Sequence, residues 1–256
     1  GMTQIHGPLG FTDMDKEGML IEGFDELGTF ATLYNYPYYL DHLEAAGYQK
    51  STDWVEYEIE VPKHIPERMS EFAAKVAERF GVRHLEATRS ELKPYAPQIF
   101  KLLNSAYSHL YGFVELTEKQ IKFYTDQYFT FIKPDFVSLI LDKEGQVIAF
   151  GLTMPSLSKA VQKAKGRLLP FGFIHILGAL RKNDRADFYL IAIDKEYQRK
   201  GVHIMIFEKI LKNYQRFGIQ KVETNPELET NTQVQAIWKD YNPRNHKRRR
   251  CFIKNL

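Results

Sequence analysis

The chain has 256 residues, of which 44% are hydrophobic and 14% aromatic, so it is not an intrinsically disordered polymer and can bury a core. The formal net charge of +3 is too small to indicate binding of nucleic acid through overall charge. A single cysteine, Cys251, excludes an internal disulfide, and no apolar run reaches the roughly 20 residues of a membrane span, so we expect a cytoplasmic protein without a membrane partner.

The first part of the chain predicts strands and helices in alternation. A strand, a helix, a strand and a helix are indicated at 19–21, 38–46, 54–61 and 67–80. Gly47 and Gly81 stand in the positions that end the two helices. The strand at 54–61 alternates apolar and polar residues, which predicts that one of its faces is solvated.

The remainder of the chain predicts a longer series of elements. A hairpin turn is indicated at Asp142-Lys143-Glu144-Gly145. Strands are predicted at 84–88, 136–141, 147–154, 187–194, 221–224 and 250–254. Helical segments are predicted at 92–110, 118–132, 156–183, 200–217 and 232–241. Strands and helices that alternate in this order predict an α/β protein with a mixed sheet.

One strand-turn-helix segment has the features of a phosphate site. An apolar strand leads into Gln198-Arg199-Lys200-Gly201, where a helix begins. The N-terminus of a helix has unpaired N–H groups and the positive end of the macrodipole, which together stabilise a pyrophosphate. Gly201 lets a phosphate approach the backbone, and Arg199 and Lys200 add positive charge.

This segment resembles the pyrophosphate motif of GNAT acetyltransferases, Gln/Arg-x-x-Gly-x-Gly/Ala. Gln198 and Gly201 are in register, whereas His203 stands where the family has Gly or Ala. The order of elements over 84–256 is also similar to that of the family. The resemblance implies a GNAT-like acyl-CoA N-acyltransferase fold.

A short repeat suggests that a second unit precedes this one. Residues 1–5 echo residues 218–222, and the segment 39–48 is similar to the late helix of the family. The whole sequence resembles bacterial tandem-GNAT proteins of unassigned substrate, with most of the first unit missing from this chain. The implied organisation is the C-terminal portion of a first GNAT unit, a connecting helix and a complete GNAT domain, at 1–66, 67–83 and 84–256.

The resemblance implies acetyl-CoA as co-substrate and assigns residues to it. Main-chain groups of one strand would bind the pantetheine arm and polarise the thioester carbonyl, although packing in the sheet explains the same residues. The implied cofactor-binding residues are Leu190, Ile191, Ala192, Ile193, Gln198, Arg199, Lys200, Gly201, Val202, His203 and Asn231. His203 would either crowd the phosphate or, when protonated, donate to it. We expect no metal site.

The catalytic residues are weakly marked. The family's late helix reads Asn-x-x-Ala/Ser-x-x-Leu-Tyr, but Trp238 fills the tyrosine position, and indole cannot protonate a departing thiolate. Tyr241 is a candidate acid or a packed aromatic residue. Glu223 and Glu229 are candidate bases or surface carboxylates. His175 is expected to be a core or interface residue.

Two functions from different classes remain. The first is an acetyl-CoA-dependent N-acetyltransferase acting on a small amine or peptide of unknown identity. The alternative is a non-catalytic GNAT-like module that binds CoA, a metabolite or a protein, as His203, Trp238 and the incomplete first unit suggest. The basic run 247–250 favours a solvated sheet edge over a site for phosphate or nucleic acid. The tyrosines at 34–39 are expected to pack between the two blocks.

Overall fold

The computed structural model describes residues 1–12 and 14–256. Ten strands of the described residues form one mixed sheet. They are β1 (Gln4–Gly7), β2 (Met19–Glu22), β3 (Gln49–Glu60), β4 (Arg83–His84), β5 (Val137–Leu141), β6 (Val147–Pro155), β7 (Arg185–Ile193), β8 (Lys221–Thr224), β9 (Glu227–Leu228) and β10 (Arg244–Asn255). Their order is β1-β10-β3-β8-β7-β6-β5-β4, with β2 paired to β10 and β9 paired to β3.

Helices cover both faces of the sheet. They are α1 (Tyr38–Ala45), α2 (Glu67–Phe80), α3 (Arg89–Leu92), α4 (Ala96–Tyr107), α5 (Glu118–Tyr128), α6 (Ser158–Lys163), α7 (Gly172–Arg181), α8 (Val202–Phe217) and α9 (Thr232–Trp238). One core cluster packs α2, α8 and α9 on the sheet, and we call this side the α8 face. A second cluster packs α4 and α5 on the opposite side, the α4 face.

Strand β3 connects the first block of the chain to the rest. It is antiparallel to β10 along 49–58 and to β8 along 58–60, so it lies inside the sheet. This pairing joins the first block to the second within one sheet. The division into units at 1–66, 67–83 and 84–256 stays a prediction. The expectation that β3 has a solvated face is wrong, because Glu56 is 0% exposed and Trp54 is 6% exposed.

The helix boundaries follow local chemistry. Helix α2 has the predicted bounds and ends at Gly81, whose φ of 63° is the left-handed conformation that glycine adopts readily. The helix expected over 92–110 is divided instead, with a 3₁₀ turn at Lys93–Tyr95 between α3 and α4. Pro94 and Pro97 explain the division, because proline has no N–H to donate to the preceding turn.

The final strand begins earlier than expected, at Arg244 instead of residue 250. The additional residues are charged and partly buried, a combination that apolar patterns cannot predict. No helix within residues 1–12 and 14–256 has both the length and the apolar character needed to cross a membrane.

Candidate active site

The two parallel strands at the centre of the sheet separate part way along their length. Strand β7 pairs with β8 from Arg185 to Phe188, where β8 ends. The next residue, Asn225, donates its N–H to the Phe188 carbonyl at 2.9 Å. Beyond this point, the described pairing of β7 is with β6 alone. Tyr189 is the extra residue of a bulge in β7, since Leu190 and Phe188 face consecutive residues of β6.

Residues Leu190, Ile191, Ala192 and Ile193 form the part of β7 beyond the separation. Two of their carbonyl groups already accept side-chain hydrogen bonds. The Tyr107 hydroxyl donates to the Ile191 carbonyl at 3.1 Å, and the Gln198 amide donates to the Ile193 carbonyl at 3.1 Å. A pantetheine amide that used either carbonyl would have to replace the side-chain donor.

The turn between β7 and α8 places the predicted phosphate motif at the beginning of a helix. Gln198, Arg199 and Lys200 are exposed, and Gly201 precedes the first residue of α8, Val202, which is buried. Gly201 has φ 84° and Arg199 has φ 60°. This arrangement directs the N–H groups of the first turn of α8 away from the helix body, as an anion site requires.

Packing of α2 against α8 explains why residue 201 is a glycine. A Cβ atom at Gly201 would lie 2.7 Å from Phe72 Cε1 and 3.2 Å from Val76 Cγ2. A side chain here would require the Phe72 ring to move and would also be strained by the positive φ.

His203 and Lys200 have contacts that restrict their roles. His203 lies in the first turn of α8, and burial lowers the pKa of its imidazole below the usual range. The neutral ring is therefore favoured at neutral pH, and a protonated His203 donor is not. The Lys200 ammonium lies 5.2 Å from the centre of the Phe80 ring and 5.3 Å from that of Tyr197.

Trp238 is part of the core on the α8 face. It is 3% exposed and packs against Phe188 and Phe207, with ring centres 5.3 Å and 5.4 Å away. Its indole N–H donates to the Glu227 carboxyl at 2.7 Å. Burial raises the pKa of Glu227 to about 8. The Trp238 side chain therefore fills the space between α8 and α9, and its only polar group is hydrogen-bonded to Glu227.

Two further predicted site residues belong to α9 and the turn after it. Tyr241 is partly buried, with its ring centre 6.2 Å from that of Phe207, and burial raises the pKa of its phenol. The side-chain oxygen of Asn231 accepts the Val234 N–H at 3.4 Å and caps α9. Packing and capping thus account for both residues, and their functional roles stay predictions.

A pair of carboxyl groups lies on the α4 face where β7 and β8 separate. Asp187 and Glu223 are register partners on the two parallel strands. Burial raises the pKa of Asp187 to about 7, and the Glu223 charge acts in the same direction, whereas Ser156 and Lys247 oppose the shift. The Tyr189 hydroxyl donates to Asp187 Oδ2 at 3.5 Å. A carboxyl that titrates near neutral pH can accept the proton of an amine.

Glu223, the base proposed from the sequence, is paired with cations. Its carboxylate contacts the Lys247 ammonium, and His246 Nε2 lies 3.3 Å away. Lys247 also contacts Glu56 at 2.9 Å. Asp187, which the sequence analysis did not single out, has instead the raised pKa that a base acting near neutral pH requires. The available signal was a lone acid in an otherwise apolar buried strand.

The basic run 247–250 is not a solvated edge, as the sequence suggested. Lys247 and Arg249 are each 1% exposed. The Arg249 guanidinium donates to Glu56 at 2.7 Å, and Arg250 donates to Asp53 at 2.8 Å. Carboxylates of β3 neutralise the run from both faces, so it offers no patch for nucleic acid or phosphate.

Other sequence expectations are also corrected. Glu229 pairs with Lys50 at 2.7 Å, and its role as a base stays a prediction. His175 is exposed on α7 and is not a core residue. The tyrosines of 34–39 are exposed and stack on one another instead of packing between blocks. Among the described residues, no group of three or more His, Cys, Asp or Glu is arranged to hold a metal ion.

Comparison with solved structures identifies the fold. A GCN5-related N-acetyltransferase from Sphaerobacter thermophilus has a TM-score of 0.54 at 12% identity, with 89% of this chain and 57% of that chain covered. A tandem GNAT protein from the clavulanic acid biosynthesis pathway also has a TM-score of 0.54, at 11% identity, with 99% and 64% covered. The chain therefore has the GNAT fold, and the expected fold class, α/β with a mixed sheet, is confirmed.

Sequence comparison adds two relatives that match along the whole chain. Protein YghO of Escherichia coli K12 is 26% identical over 267 residues, which are 100% of this chain and 67% of the relative. A bacterial ceramide synthase from Caulobacter vibrioides is 23% identical over 269 residues, or 100% and 68%. No family model matches the chain.

Proposed function

We propose that this protein is an acyl-CoA-dependent N-acyltransferase that forms an amide on the amine of a long-chain lipid. The observation that carries the proposal is the position of Asp187. Its buried carboxyl has a pKa raised to about 7 and lies where β7 and β8 separate. The same strand, β7, leads into α8, which begins after Gly201. An acyl acceptor site needs a base and an acyl donor site next to each other.

The chain's residues would divide the work of amide formation. Asp187 takes the proton of the acceptor ammonium, which leaves a nucleophilic amine. The nitrogen forms a bond to the thioester carbon, the carbon–sulfur bond breaks, and the electron pair leaves with sulfur. The second N–H proton of the amine passes to the departing sulfur, so the products are the amide and the CoA thiol. Main-chain N–H groups of 190–193 polarise the carbonyl as charge develops on its oxygen. The Glu223–Lys247 pair fixes the electrostatic surroundings of Asp187.

The residues at the start of α8 fit the phosphates of a CoA thioester. Arg199 and Lys200 are exposed cations beside a helix N-terminus, which is an arrangement suited to a pyrophosphate. His203 as a neutral ring would fill space beside it. Gln198 would stabilise the turn through the hydrogen bond that its amide donates to the Ile193 carbonyl.

The acceptor class comes from the relative named a bacterial ceramide synthase, which matches 100% of this chain. A ceramide is the amide of a long-chain amino alcohol, so that name describes N-acylation of a lipid amine. The same chemistry fits a base with a pKa near 7, because an ammonium group is the acceptor's resting form. Acetyl-CoA and long-chain acyl-CoA are both within the proposal, and turnover distinguishes them.

Trp238 supports a second candidate, a non-catalytic module that binds a CoA thioester. The indole occupies the position of the family's tyrosine and is committed to Glu227, so it supplies no acid. Tyr241 is the remaining candidate acid on this part of the chain, and its phenol is partly buried against Phe207.

The division of the chain into a partial first GNAT unit and a complete second one also remains our proposal.

One assay separates the candidates. Release of free CoA thiol is measured with acetyl-CoA and with palmitoyl-CoA, each offered a long-chain amino alcohol, a small diamine and a lysine peptide. Turnover with the amino alcohol alone is the expected result. Binding of either thioester by calorimetry without turnover supports the module. Turnover only with the diamine or the peptide contradicts the lipid acceptor, and absence of both binding and turnover contradicts both candidates.

A further inference from the structure

The segment between β6 and β7 is unlike the rest of the chain in charge. Residues 156–183 contain no aspartate or glutamate, although the whole chain has 32 of them. The segment contains six cations, Lys159, Lys163, Lys165, Arg167, Arg181 and Lys182. All six are exposed, and one of them, Lys159, pairs with Asp184 at 3.4 Å.

The same segment exposes large apolar side chains between its cations. Leu169 is 77% exposed and Phe171 is 70% exposed. Four more apolar residues nearby are also exposed, Leu168, Phe173, Ile174 and Leu177. Helix α7 packs mainly on α6, and none of its side chains belongs to the core clusters of the described residues. A helix this apolar and this exposed marks an interaction surface.

We infer that the segment formed by α6, α7 and the loop between them docks on the surface of an anionic membrane. Exposed leucine and phenylalanine side chains enter the boundary between headgroups and acyl chains, while lysine and arginine side chains meet lipid phosphates. The pairing of apolar residues with flanking cations, and the lack of acidic residues among them, selects an anionic surface over a neutral one. Such docking needs no membrane-spanning helix, and it departs from the expectation of a protein without a membrane partner.

The two ends of the segment lie beside Asp187, the candidate general base. The Asn183 amide donates to the Ser156 carbonyl at 2.6 Å and closes the ends of the segment, and Ser156 N donates to the Arg185 carbonyl at 3.0 Å. The Ser156 side chain also interacts with Asp187. The segment is therefore anchored at the part of the sheet that holds Asp187. Docking itself does not depend on the proposed reaction.

Vesicle flotation tests the inference without turnover. The full chain is mixed with vesicles of phosphatidylcholine alone and with vesicles of phosphatidylcholine and phosphatidylglycerol, at low and high salt. We expect binding to the anionic vesicles at low salt only. Leu168→Ser/Leu169→Ser/Phe171→Ser and Lys163→Glu/Arg167→Glu/Lys182→Glu should each lose it, with about a fivefold loss of affinity per cation removed.

Matched variants on other surfaces serve as controls. Lys101→Glu/Lys119→Glu/Lys143→Glu changes the net charge equally at exposed sites, and Met2→Ser/Val114→Ser/Leu256→Ser removes exposed apolar side chains elsewhere. Both should bind as the unmodified chain does, and circular dichroism verifies that every variant is folded. Equal loss in the controls, equal binding to neutral vesicles, or no vesicle binding together with dimerisation through this face would each overturn the inference. Loss of thioester turnover with intact vesicle binding would contradict only the proposed function.

Discussion

Asp187 and Glu223 lie side by side on parallel strands, and only one of them is paired with cations. The Lys247 ammonium contacts the Glu223 carboxylate. Asp187 is 2% exposed, and burial together with the Glu223 charge raises its pKa to about 7. Two adjacent carboxyls with different surroundings can divide their roles between an ion pair and a base.

Asp187→Asn should lower kcat by about 10²-fold to 10⁴-fold, the usual contribution of a general base. In the unmodified protein, kcat/KM should rise with pH and level off above about 7, because Asp187 must lose its proton to act. The variant should lose this pH dependence. Asp184→Asn, an exposed carboxyl three residues earlier, is the control and should behave as the unmodified protein does. A variant that retained both its rate and its pH profile would assign the base elsewhere.

Stability should fall as pH rises, because two buried carboxyls hold protons in the folded state. Burial raises the pKa of Asp187 from 3.8 to about 7 and that of Glu227 from 4.5 to about 8. The folded protein binds protons that the unfolded chain releases, so this stabilisation is complete below pH 3.8 and is lost as pH rises through about 7. Asp187→Asn and Glu227→Gln should therefore raise the melting temperature at pH 8 by several degrees and have little effect at pH 4. Thermal unfolding followed by circular dichroism across this range provides the measurement, and a stability that rose with pH would contradict the assignment.

Breaking the buried ion pairs of β3 should cost more than breaking a surface pair. Glu56→Leu leaves Arg249 and Lys247 without their shared carboxylate in a site that is 0% exposed at Glu56, and we expect a loss of about 3–5 kcal/mol in the free energy of unfolding. Adding Arg249→Met should recover part of the loss. Asp126→Asn, which removes the exposed partner of Lys122, should change stability little. Urea denaturation compares the four proteins, and equal midpoints for Glu56→Leu and Asp126→Asn would argue against a structural role for the buried pairs.

Affinity for a CoA thioester should depend on the exposed cations before α8. Arg199→Glu and Lys200→Glu should each weaken CoA binding by roughly tenfold or more, because charge reversal places a carboxylate beside the pyrophosphate. Both side chains are exposed, so the fold should be unaffected, in contrast to Gly201→Glu. Lys119→Glu on α5 supplies the control. Calorimetry with dephospho-CoA and CoA gives the affinities, and unchanged values in both variants would remove the phosphate site.

Deletion of residues 1–66 should prevent the rest of the chain from folding. Strand β3 pairs with β10 and with β8, so its loss leaves both strands with unpaired edges and removes the carboxylates that neutralise Lys247 and Arg249. The control is co-expression of 1–66 with 67–256, which restores β3 without a covalent link. A soluble 67–256 fragment with a cooperative transition would show that the first block is dispensable.

Most of the fold was readable from the sequence, because helices and apolar strands leave periodic patterns that depend on neighbours along the chain. Helix α2 was predicted with its observed bounds, since an amphipathic stripe runs along its length and Gly81 marks its C-terminal end. The segment that opens α8 was recognised from Gln198 and Gly201, because a turn followed by a helix has a local signature. The resemblance to the GNAT fold came from the same local elements and their order.

The tertiary structure alone decided how charged residues are used. The strand holding Glu56 looked half solvated and the run 247–250 looked like a surface edge, yet these segments pair with each other across 190 residues of chain and bury their charges together. Likewise the sequence showed Asp187 only as a lone acid in an apolar strand, whereas its raised pKa depends on burial and on Glu223, which β8 places beside it. Sequence patterns report whether a residue suits water or a core, but the pKa and the partner of a buried charge depend on which distant strand lies next to it.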